Sequence, residues 1–267
     1  MAQVATWLRE HQGLRPGDHV AMVMGNRVEF VELVLGSVLA GVWLTPINWH
    51  LTAEEAAFIV GDSGARLLVA DPEFESMARA AAGERPVVVV GEELDSALDT
   101  LGPIASDALE FSGPAGGNMF YTSGTTGRPK GVKRTAQPTV RQQLRSLARG
   151  GRVLGLDGTG PHLVTGPLYH AAPVGFAVMD LLNGAPLVLM PRWDPATALR
   201  LIEERSVRHT HLVPTMFVRL LRLPDEVRER FDPSSLSLVL HGAAPIAPSV
   251  KRQMIEWWGP VLVEYWG

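Results

Sequence analysis

The hydrophobic and polar positions of this sequence alternate between two patterns. Short apolar runs of strand length are separated by longer segments whose apolar positions recur every three or four residues, as in amphipathic helices. In the first half, the pattern predicts strands at His19–Met24, Trp43–Pro46, Arg66–Ala70 and Pro86–Val90. It predicts helices at Val4–Glu10, between Asn26 and Gly41, from Thr52 through Val60 and near Glu73–Ala82.

Local signals mark the ends of two of these helices. Asn26 can cap the helix that ends at Gly41. Thr52 and Glu55 have the spacing of a capping box, in which two side chains satisfy each other's backbone amides. The segment Gly91–Gly117, in contrast, is weakly patterned, and we interpret it as a connection that leads into the segment after it.

The same alternation continues in the second half of the chain. It predicts strands at His162–Val164, Leu187–Met190, Thr210–Val213, Leu236–His241 and Val261–Tyr265. It predicts helices at Val140–Ala148, Val174–Leu182, Thr197–Glu204, Met216–Leu221 and Ser249–Trp258. The first of these helices should end at Gly150 and Gly151, because glycine is unfavourable inside helices.

Short apolar strands alternating with helices are typical of α/β folds, in which helices cover both faces of a parallel sheet. We predict two stacked α/β subdomains with mostly parallel sheets, residues 1–150 and 151–267. Ligands of open α/β sheets bind beyond the carboxyl ends of the strands. Functional residues are therefore expected directly after strands.

Composition limits the classes of function. A net charge of −4 does not favour nucleic acid or an anionic membrane as a partner. The absence of cysteine excludes disulfides and thiol catalysis, and we expect a cytoplasmic protein. The longest apolar run, around Val31–Leu44, is interrupted and too short to span a bilayer, which leaves only peripheral membrane association open.

The segment Tyr121–Gly131 concentrates groups that bind anions. It holds four Ser/Thr hydroxyls, three glycines and two cations, between two short runs that favour strands. We predict a strand–loop–strand hairpin that holds a polyanion such as a nucleotide phosphate chain. The usual helix-capped phosphate loop does not fit, because Pro129 replaces its second glycine and Gly131 follows Lys130. An ordinary hairpin turn is the alternative.

Several histidines are candidate functional residues. His170 follows one predicted strand and His241 ends another, although a single histidine is more often structural. His209 and His211 lie two apart and point to the same face of a strand. With no Asp, Glu or third His arranged around them, we predict no metal site.

Two further segments could bind a flat ring. The small residues of Gly242–Pro245 let a ring lie against the backbone, although a tight strand–helix connection would favour them equally. Tyr265 ends the last predicted strand and Trp266 follows it; a core aromatic at the end of a buried strand is the alternative. Ser123 lies outside a Gly-x-Ser-x-Gly nucleophile motif, and we interpret it as a phosphate-binding hydroxyl.

The sequence Tyr-Thr-Ser-Gly-Thr-Thr-Gly-Arg-Pro-Lys-Gly-Val at Tyr121–Val132 resembles the phosphate-binding loop of the adenylate-forming (ANL) superfamily of AMP-dependent synthetases and ligases. Pro167–His170, Gly242–Pro245 and Glu264–Gly267 resemble three further motifs of that superfamily. The resemblance covers nearly all of the chain. It is nearest to the N-terminal domain of bacterial fatty acyl-CoA synthetases and implies their fold.

The resemblance implies a role for each matching residue. The ATP phosphates would be bound by Thr122, Ser123, Gly124, Thr125, Thr126, Gly127 and Lys130. Adenine would be bound by Gly242, Ala243, Ala244, Pro245, Tyr265, Trp266 and Gly267. The acyl pocket would include Tyr169, His170, Thr215 and His241, with His170 as the catalytic residue that positions the substrate. His241 and Trp266 depart from the residues the superfamily more often has there, which puts the pocket floor and the adenine contact in doubt.

The implied reaction activates a fatty or other carboxylic acid with ATP to an acyl-AMP and then transfers the acyl group to CoA. Mg²⁺ is the implied cofactor, and its main protein ligand would follow Gly267. The small C-terminal domain with its catalytic lysine would also lie beyond that residue. We therefore expect a piece of the large N-terminal domain without ligase activity of its own, an expectation that acid-dependent pyrophosphate release would contradict.

Other functions remain open. An aryl-CoA ligase or a fatty acyl-AMP ligase would share these motifs, and a nucleotide-binding module without catalysis would share the loop. A GTPase-like hydrolase is disfavoured by Pro129 and Gly131. The acid's chain length, the acceptor and the oligomeric state do not follow from the sequence.

Overall fold

The computed structural model describes residues 1–104, 110–122 and 129–266. Their secondary structure forms an α/β fold with two sheets, which confirms the predicted fold class. The chain divides into two compact units, Met1–Ser146 with Tyr169–Ala171 and Leu147–Leu168 with Ala172–Gly267.

The sheet of the first unit contains six strands in the order β4-β3-β1-β2-β5-β6. These strands are β1 (His19–Val23), β2 (Trp43–Ile47), β3 (Ala65–Ala70), β4 (Val87–Val89), β5 (Gly117–Thr122) and β6 (Lys130–Lys133). All neighbours run parallel except β5 and β6, which form an antiparallel pair. The central strands are almost completely buried, as expected for a sheet with helices on both faces.

The helices of the first unit are α1 (Ala2–Thr6), α2 (Val28–Ala40), α3 (Ala53–Asp62), α4 (Glu75–Ala82) and α5 (Glu92–Leu101). A π-helical turn, Trp7–His11, extends α1, and a 3₁₀ turn, Pro72–Phe74, precedes α4. The capping box of Thr52 and Glu55 at the start of α3 is confirmed, because both reciprocal hydrogen bonds form. Arg27, and not Asn26, occupies the cap position of α2.

The second sheet contains five parallel strands in the order β11-β10-β9-β7-β8. They are β7 (His162–Val164), β8 (Leu187–Leu189), β9 (His209–Leu212), β10 (Leu238–His241) and β11 (Leu262–Glu264). The helices are α6 (Val140–Val153), α7 (Ala171–Leu181), α8 (Pro195–Glu204), α9 (Pro214–Leu221), α10 (Asp225–Arg230) and α11 (Pro248–Trp258). A buried apolar cluster of this unit includes Phe217, Val239, Met254 and Trp258.

Two predictions of where helices lie were wrong. The segment Gly91–Gly117 contains helix α5, whose last carbonyl groups accept hydrogen bonds from the Gln3 amide. Helix α6 continues through Gly150 and Gly151 to Val153. The short helix α10, which begins at Asp225, was not predicted. Within the part of the chain that the structure describes, no helix is long and apolar enough to cross a membrane.

Candidate functional site

The predicted anion-binding hairpin exists in the first unit. Strands β5 and β6 pair in antiparallel register, with Thr122 opposite Lys130, so the predicted pairing of these two strands is confirmed. Both residues are exposed at the carboxyl end of β5, where a parallel sheet usually binds its ligand. The predicted phosphate-binding residues Ser123, Gly124, Thr125, Thr126 and Gly127 lie outside the described residues.

Two contacts anchor this hairpin to the rest of its unit. The Tyr121 hydroxyl donates to the Asp62 carboxylate at 2.6 Å. Burial and this hydrogen bond raise the pKa of Tyr121, so the phenol keeps its proton. Asp62 ends α3 and lies far from Tyr121 in the sequence, so no local pattern could predict this partner.

The second anchor is a lysine over an aromatic ring. The Lys133 ammonium lies 4.1 Å from the Trp43 ring centroid and 3.1 Å from His19 Nε2. Burial and the Lys133 charge lower the pKa of His19, so Nε2 of its neutral ring accepts the hydrogen bond. Hydrogen bonding and cation–π attraction together fix the base of β6.

Tyr169 and His170 belong to the same unit as the hairpin. Tyr169 is buried and meets the Trp49 ring edge-on at 5.9 Å, and Trp49 in turn stacks on Phe74. His170 is exposed, with its ring centroid 4.4 Å from that of Tyr169. Partial desolvation lowers the pKa of His170, so the imidazole is neutral at pH 7 and can donate one hydrogen bond and accept another.

In the second unit, Gly242 and Tyr265 lie against each other. A Cβ atom on Gly242 would lie 2.7 Å from the Tyr265 carbonyl oxygen and 2.8 Å from its ring, so only glycine fits here. The Tyr265 amide donates to the His241 carbonyl, and its ring packs edge-on against Phe176. The backbone after β10 and the aromatic after β11 are therefore held together, as the prediction of a shared ring-binding surface requires.

The remaining predicted ligand residues of the second unit are mostly at the surface. Thr215, Ala243, Ala244 and Pro245 are exposed, and Ala243 has a positive φ of 65°. Trp266 is fully exposed at 101%. Gly267 lies outside the described residues.

The expectation that no acid or third histidine adjoins His209 was wrong. Asp180 of α7 accepts hydrogen bonds from His209 Nδ1 at 2.7 Å and from His162 Nδ1 at 2.9 Å, and all three residues are buried. Burial alone would raise the pKa of Asp180, but the two histidines outweigh it and lower the pKa to about 2. Sequence reasoning missed this cluster because its members come from separate elements.

His211 also faces α7, where its ring contacts Phe176, but its hydrogen-bond partner is not Asp180. Its Nε2 lies 3.1 Å from the Tyr265 hydroxyl, and burial lowers its pKa to about 4. Among the described residues, no group of three His, Asp or Glu side chains is arranged to hold a metal ion. The Asp180 cluster is a buried hydrogen-bonded group of one carboxylate and two imidazoles.

His241 is buried on the other face of the second sheet. Its ring meets Phe217 edge-on at 5.4 Å. Burial and the nearby Lys251 charge lower its pKa. Neither ring nitrogen has a hydrogen-bond partner among the residues that the structure describes.

Comparison with known proteins identifies the family to which this arrangement belongs. The family model of AMP-binding enzymes matches residues 1–267, the whole chain. The chain belongs to the AMP-binding enzyme family. This family consists of AMP-forming acid–thiol ligases, which use ATP and CoA.

Relatives in this family are named for different acids. The chain is 32% identical over 260 residues to a feruloyl-CoA synthase from Amycolatopsis sp, covering 96% of this chain and 50% of that protein. It is 31% identical over 246 residues to the long-chain-fatty-acid–CoA ligase FadD13 of Mycobacterium tuberculosis, covering 90% of this chain and 48% of that protein. The chain thus spans about half the length of these curated relatives.

A solved structure of the same family shares the fold. The inhibitor-bound N-terminal domain of FACL13 from Mycobacterium tuberculosis superposes with a TM-score of 0.83 at 25% identity, covering 100% of this chain and 66% of that one. The two sheets described above therefore match the N-terminal domain of AMP-binding enzymes.

Proposed function

We propose that this chain supplies the ATP- and acid-binding half of an AMP-forming acid–CoA ligase. The observation that carries the proposal is the hairpin of β5 and β6, which places Thr122 and Lys130 at the carboxyl end of a parallel strand. A hydroxyl and an ammonium group at this edge are suited to a phosphate chain. The family match over the whole chain supports the same conclusion.

The proposed reaction has two steps. In the first, a carboxylate oxygen attacks the α-phosphorus of ATP, the bond to the β-phosphate oxygen breaks, and pyrophosphate leaves. In the second, the CoA thiol loses its proton and its sulfur attacks the acyl carbon, so that AMP leaves with the bonding electrons. Charge develops on phosphate oxygens in the first step, and fixed donors stabilise such charge most effectively.

The chain's own residues bind and orient the reactants. Lys130 and the hydroxyl of Thr122 contact the phosphates, and we assign the same role to Ser123–Gly127. Gly242–Pro245, Tyr265 and Trp266 hold the adenine ring, where aromatic stacking contributes on the order of 1–3 kcal/mol. The neutral imidazole of His170 positions the carboxylate. Among the residues that the structure describes, no group of His, Asp or Glu side chains is arranged to hold Mg²⁺.

The substrate is a carboxylic acid, with a fatty acid or an aryl acid as the candidates. The named acids of the relatives include both classes, a ferulic acid and a long-chain fatty acid, at nearly equal identity. The fatty acid is the first candidate because the motifs of the chain resemble those of fatty acyl-CoA synthetases. The aryl acid is favoured by the slightly higher identity to the feruloyl-CoA synthase.

Pyrophosphate release tests this function, measured with the intact protein, meaning the full-length ligase of which this chain is the proposed binding half. With Mg-ATP, we expect release only when a carboxylic acid is present, followed by acyl-CoA formation when CoA is added. Lys130→Met should lower kcat/KM for ATP about 10- to 100-fold, since hydrogen bonds to charged groups contribute roughly 1.5–3 kcal/mol. The class of acid is identified by comparing fatty and aryl acids of similar size.

Arg200→Met is the control for this substitution. It removes a cation that is paired with Glu204 on the exposed surface of α8 and should leave kcat/KM unchanged. ATP hydrolysis without an acid would refute the ligase proposal in favour of a hydrolase. Nucleotide binding without any pyrophosphate release would favour a binding module.

A further inference from the structure

His241 differs from the other buried histidines of the second sheet. His162 and His209 are hydrogen bonded to Asp180, and His211 is hydrogen bonded to the Tyr265 hydroxyl. His241 is fully covered, yet both of its ring nitrogens are without a partner among the described residues. A buried polar group without a partner is destabilising, so such groups usually have a ligand, a water or a functional role.

The surroundings of His241 contain a second polar group of this kind. The side chain of His241 lies on the same face of β10 as Val239, within the apolar cluster that includes Phe217 and Trp258. The Phe217 ring meets the rings of both His241 and Trp258 edge-on. Trp258 Nε1, a buried donor, also has no partner in the described part of the chain. Two unpartnered polar groups therefore flank one phenyl ring.

The chemistry of these groups defines the occupant that they fit. A neutral imidazole offers one N–H donor and one acceptor nitrogen, and the indole offers a second donor. A hydroxyl group both donates and accepts, so it can pair with the imidazole. A hydrocarbon chain can pair with neither nitrogen, and packing it against His241 would leave the imidazole unpartnered.

The position of His241 places it directly before Gly242–Pro245, the segment proposed to hold the adenine ring of the acyl-AMP. It is the last residue of β10, at the carboxyl end of the strand, and Ala243 two residues later is exposed. The imidazole itself is covered in this structure. A bound acid would have to displace part of this covering, which includes the Phe217 ring.

We propose that His241 determines substrate specificity by hydrogen bonding a hydroxyl group at the distal end of the carboxylic acid. The preferred substrate is then a hydroxylated acid, and the same acid without its hydroxyl is a poor substrate. This inference rests on the proposed ligase function and narrows its substrate class. The hydroxyl supplies the hydrogen-bond partner that the buried imidazole lacks. An acid without the hydroxyl leaves the imidazole unpaired and therefore binds less well.

The test compares pairs of acids that differ only in the hydroxyl, in the pyrophosphate assay with the intact protein. Suitable pairs are 4-hydroxycinnamate with cinnamate, and 16-hydroxyhexadecanoate with hexadecanoate. We expect kcat/KM to be at least about 10-fold higher for the hydroxylated member of one pair, mainly through KM. Equal kcat/KM values within both pairs would overturn the inference while leaving the ligase function intact.

Substitution of His241 separates a specificity role from a structural one. His241→Phe should remove the preference and raise kcat/KM for the acid without a hydroxyl, which loss of structure would not do. His241→Asn keeps a donor and an acceptor and should retain part of the preference. If His241→Phe does not fold, the Asn variant still decides, because a preference unchanged from that of the wild type would contradict the proposed contact.

A spectroscopic measurement covers the case in which no acid supports pyrophosphate release. That result would refute the proposed function, but not by itself the contact with His241. In protein labelled with ¹⁵N-histidine, the ring nitrogens of His241 should shift on addition of the hydroxylated acid and not of its partner. The absence of any such difference would overturn the inference independently of catalysis.

Discussion

At the scale of single residues, the buried groups of the second sheet show how the hydrogen-bond partner of a side chain affects its ionisation. Asp180 is ionised because two histidines and the Gly158 amide donate to it, which lowers its pKa to about 2 despite complete burial. His211 has only a neutral phenol as its partner and stays uncharged. Replacing Asp180 alone would leave buried donors unpaired, which is costly even where the intact pair adds little stability.

His211 makes a testable contribution to the pH dependence of stability. Burial lowers its folded pKa to about 4, whereas the unfolded value is near 6.5. Between these values the unfolded state binds more protons, so stability falls as pH falls through this window. The full difference corresponds to roughly 3 kcal/mol. His211→Gln should therefore reduce the loss of unfolding free energy between pH 7 and pH 4.5, measured by urea denaturation.

The matched control is His11→Gln, which replaces an exposed histidine at the end of the π-helical turn. It should leave the pH dependence as in the wild type. Burial also lowers the pKa of His162, so some pH dependence must remain in the His211 variant. An identical pH profile for His211→Gln and the wild type would contradict the assignment.

At the scale of helices and strands, the sequence predicted most elements because each carries its own pattern. Every predicted strand is present in the structure, within one or two residues at most ends. Helix α6 was predicted to end at Gly150 and Gly151 because glycine has a low helix propensity. Packing against the neighbouring helix α7, which the local sequence does not reveal, allows the helix to continue. Gly151 is buried against Met179 and Asn183 of the segment around α7, where there is no room for a side chain.

The two glycines of α6 give a matched pair of substitutions. A Cβ atom at Gly151 would lie 2.9 Å from Asn183 Nδ2 and 3.0 Å from Met179 Cβ, whereas at Gly150 its nearest neighbour is 3.8 Å away. The same Asn183 amide donates to the carbonyl oxygens of Ala148, Leu156 and Met179. Gly151→Ala should destabilise by about 1–3 kcal/mol through overpacking, and Gly150→Ala should stabilise by about 0.5–1 kcal/mol through helix propensity. Thermal and urea unfolding measure both changes. A change of stability in the same direction for the two substitutions would contradict the difference in packing at these two glycines.

Contacts between distant elements could not be predicted. The motifs predicted the hairpin and the residues after β10 and β11, since each motif is continuous in the sequence. The partners of these residues are not continuous: Tyr121 reaches Asp62, and His209 reaches Asp180 on α7. Such pairs depend on which strands become neighbours, and no local pattern specifies the order β11-β10-β9-β7-β8.

At the scale of the whole molecule, charge is distributed very unevenly along the chain. Residues 111–156 contain eight of the 24 basic residues and none of the 28 acidic ones. This segment therefore carries +8 within a chain of net charge −4, and the remainder carries −12. It includes the hairpin with Lys130 and helix α6, whose four exposed arginines, Arg141, Arg145, Arg149 and Arg152, have the spacing of one helix face.

A local positive field of this kind should outweigh the negative net charge toward a polyanion. We expect the protein to be retained on a heparin column at pH 7.5 in low salt. Replacing the four α6 arginines with glutamine should lower the NaCl concentration at elution. The control replaces Arg66, Arg79, Arg200 and Arg228, each paired with an acidic residue, and lowers the net charge by the same four units. Retention should change little in that control, because each arginine that it replaces is paired with an acidic residue. An equal loss of retention in both variants would show that net charge, and not the distribution of charge, governs binding to heparin.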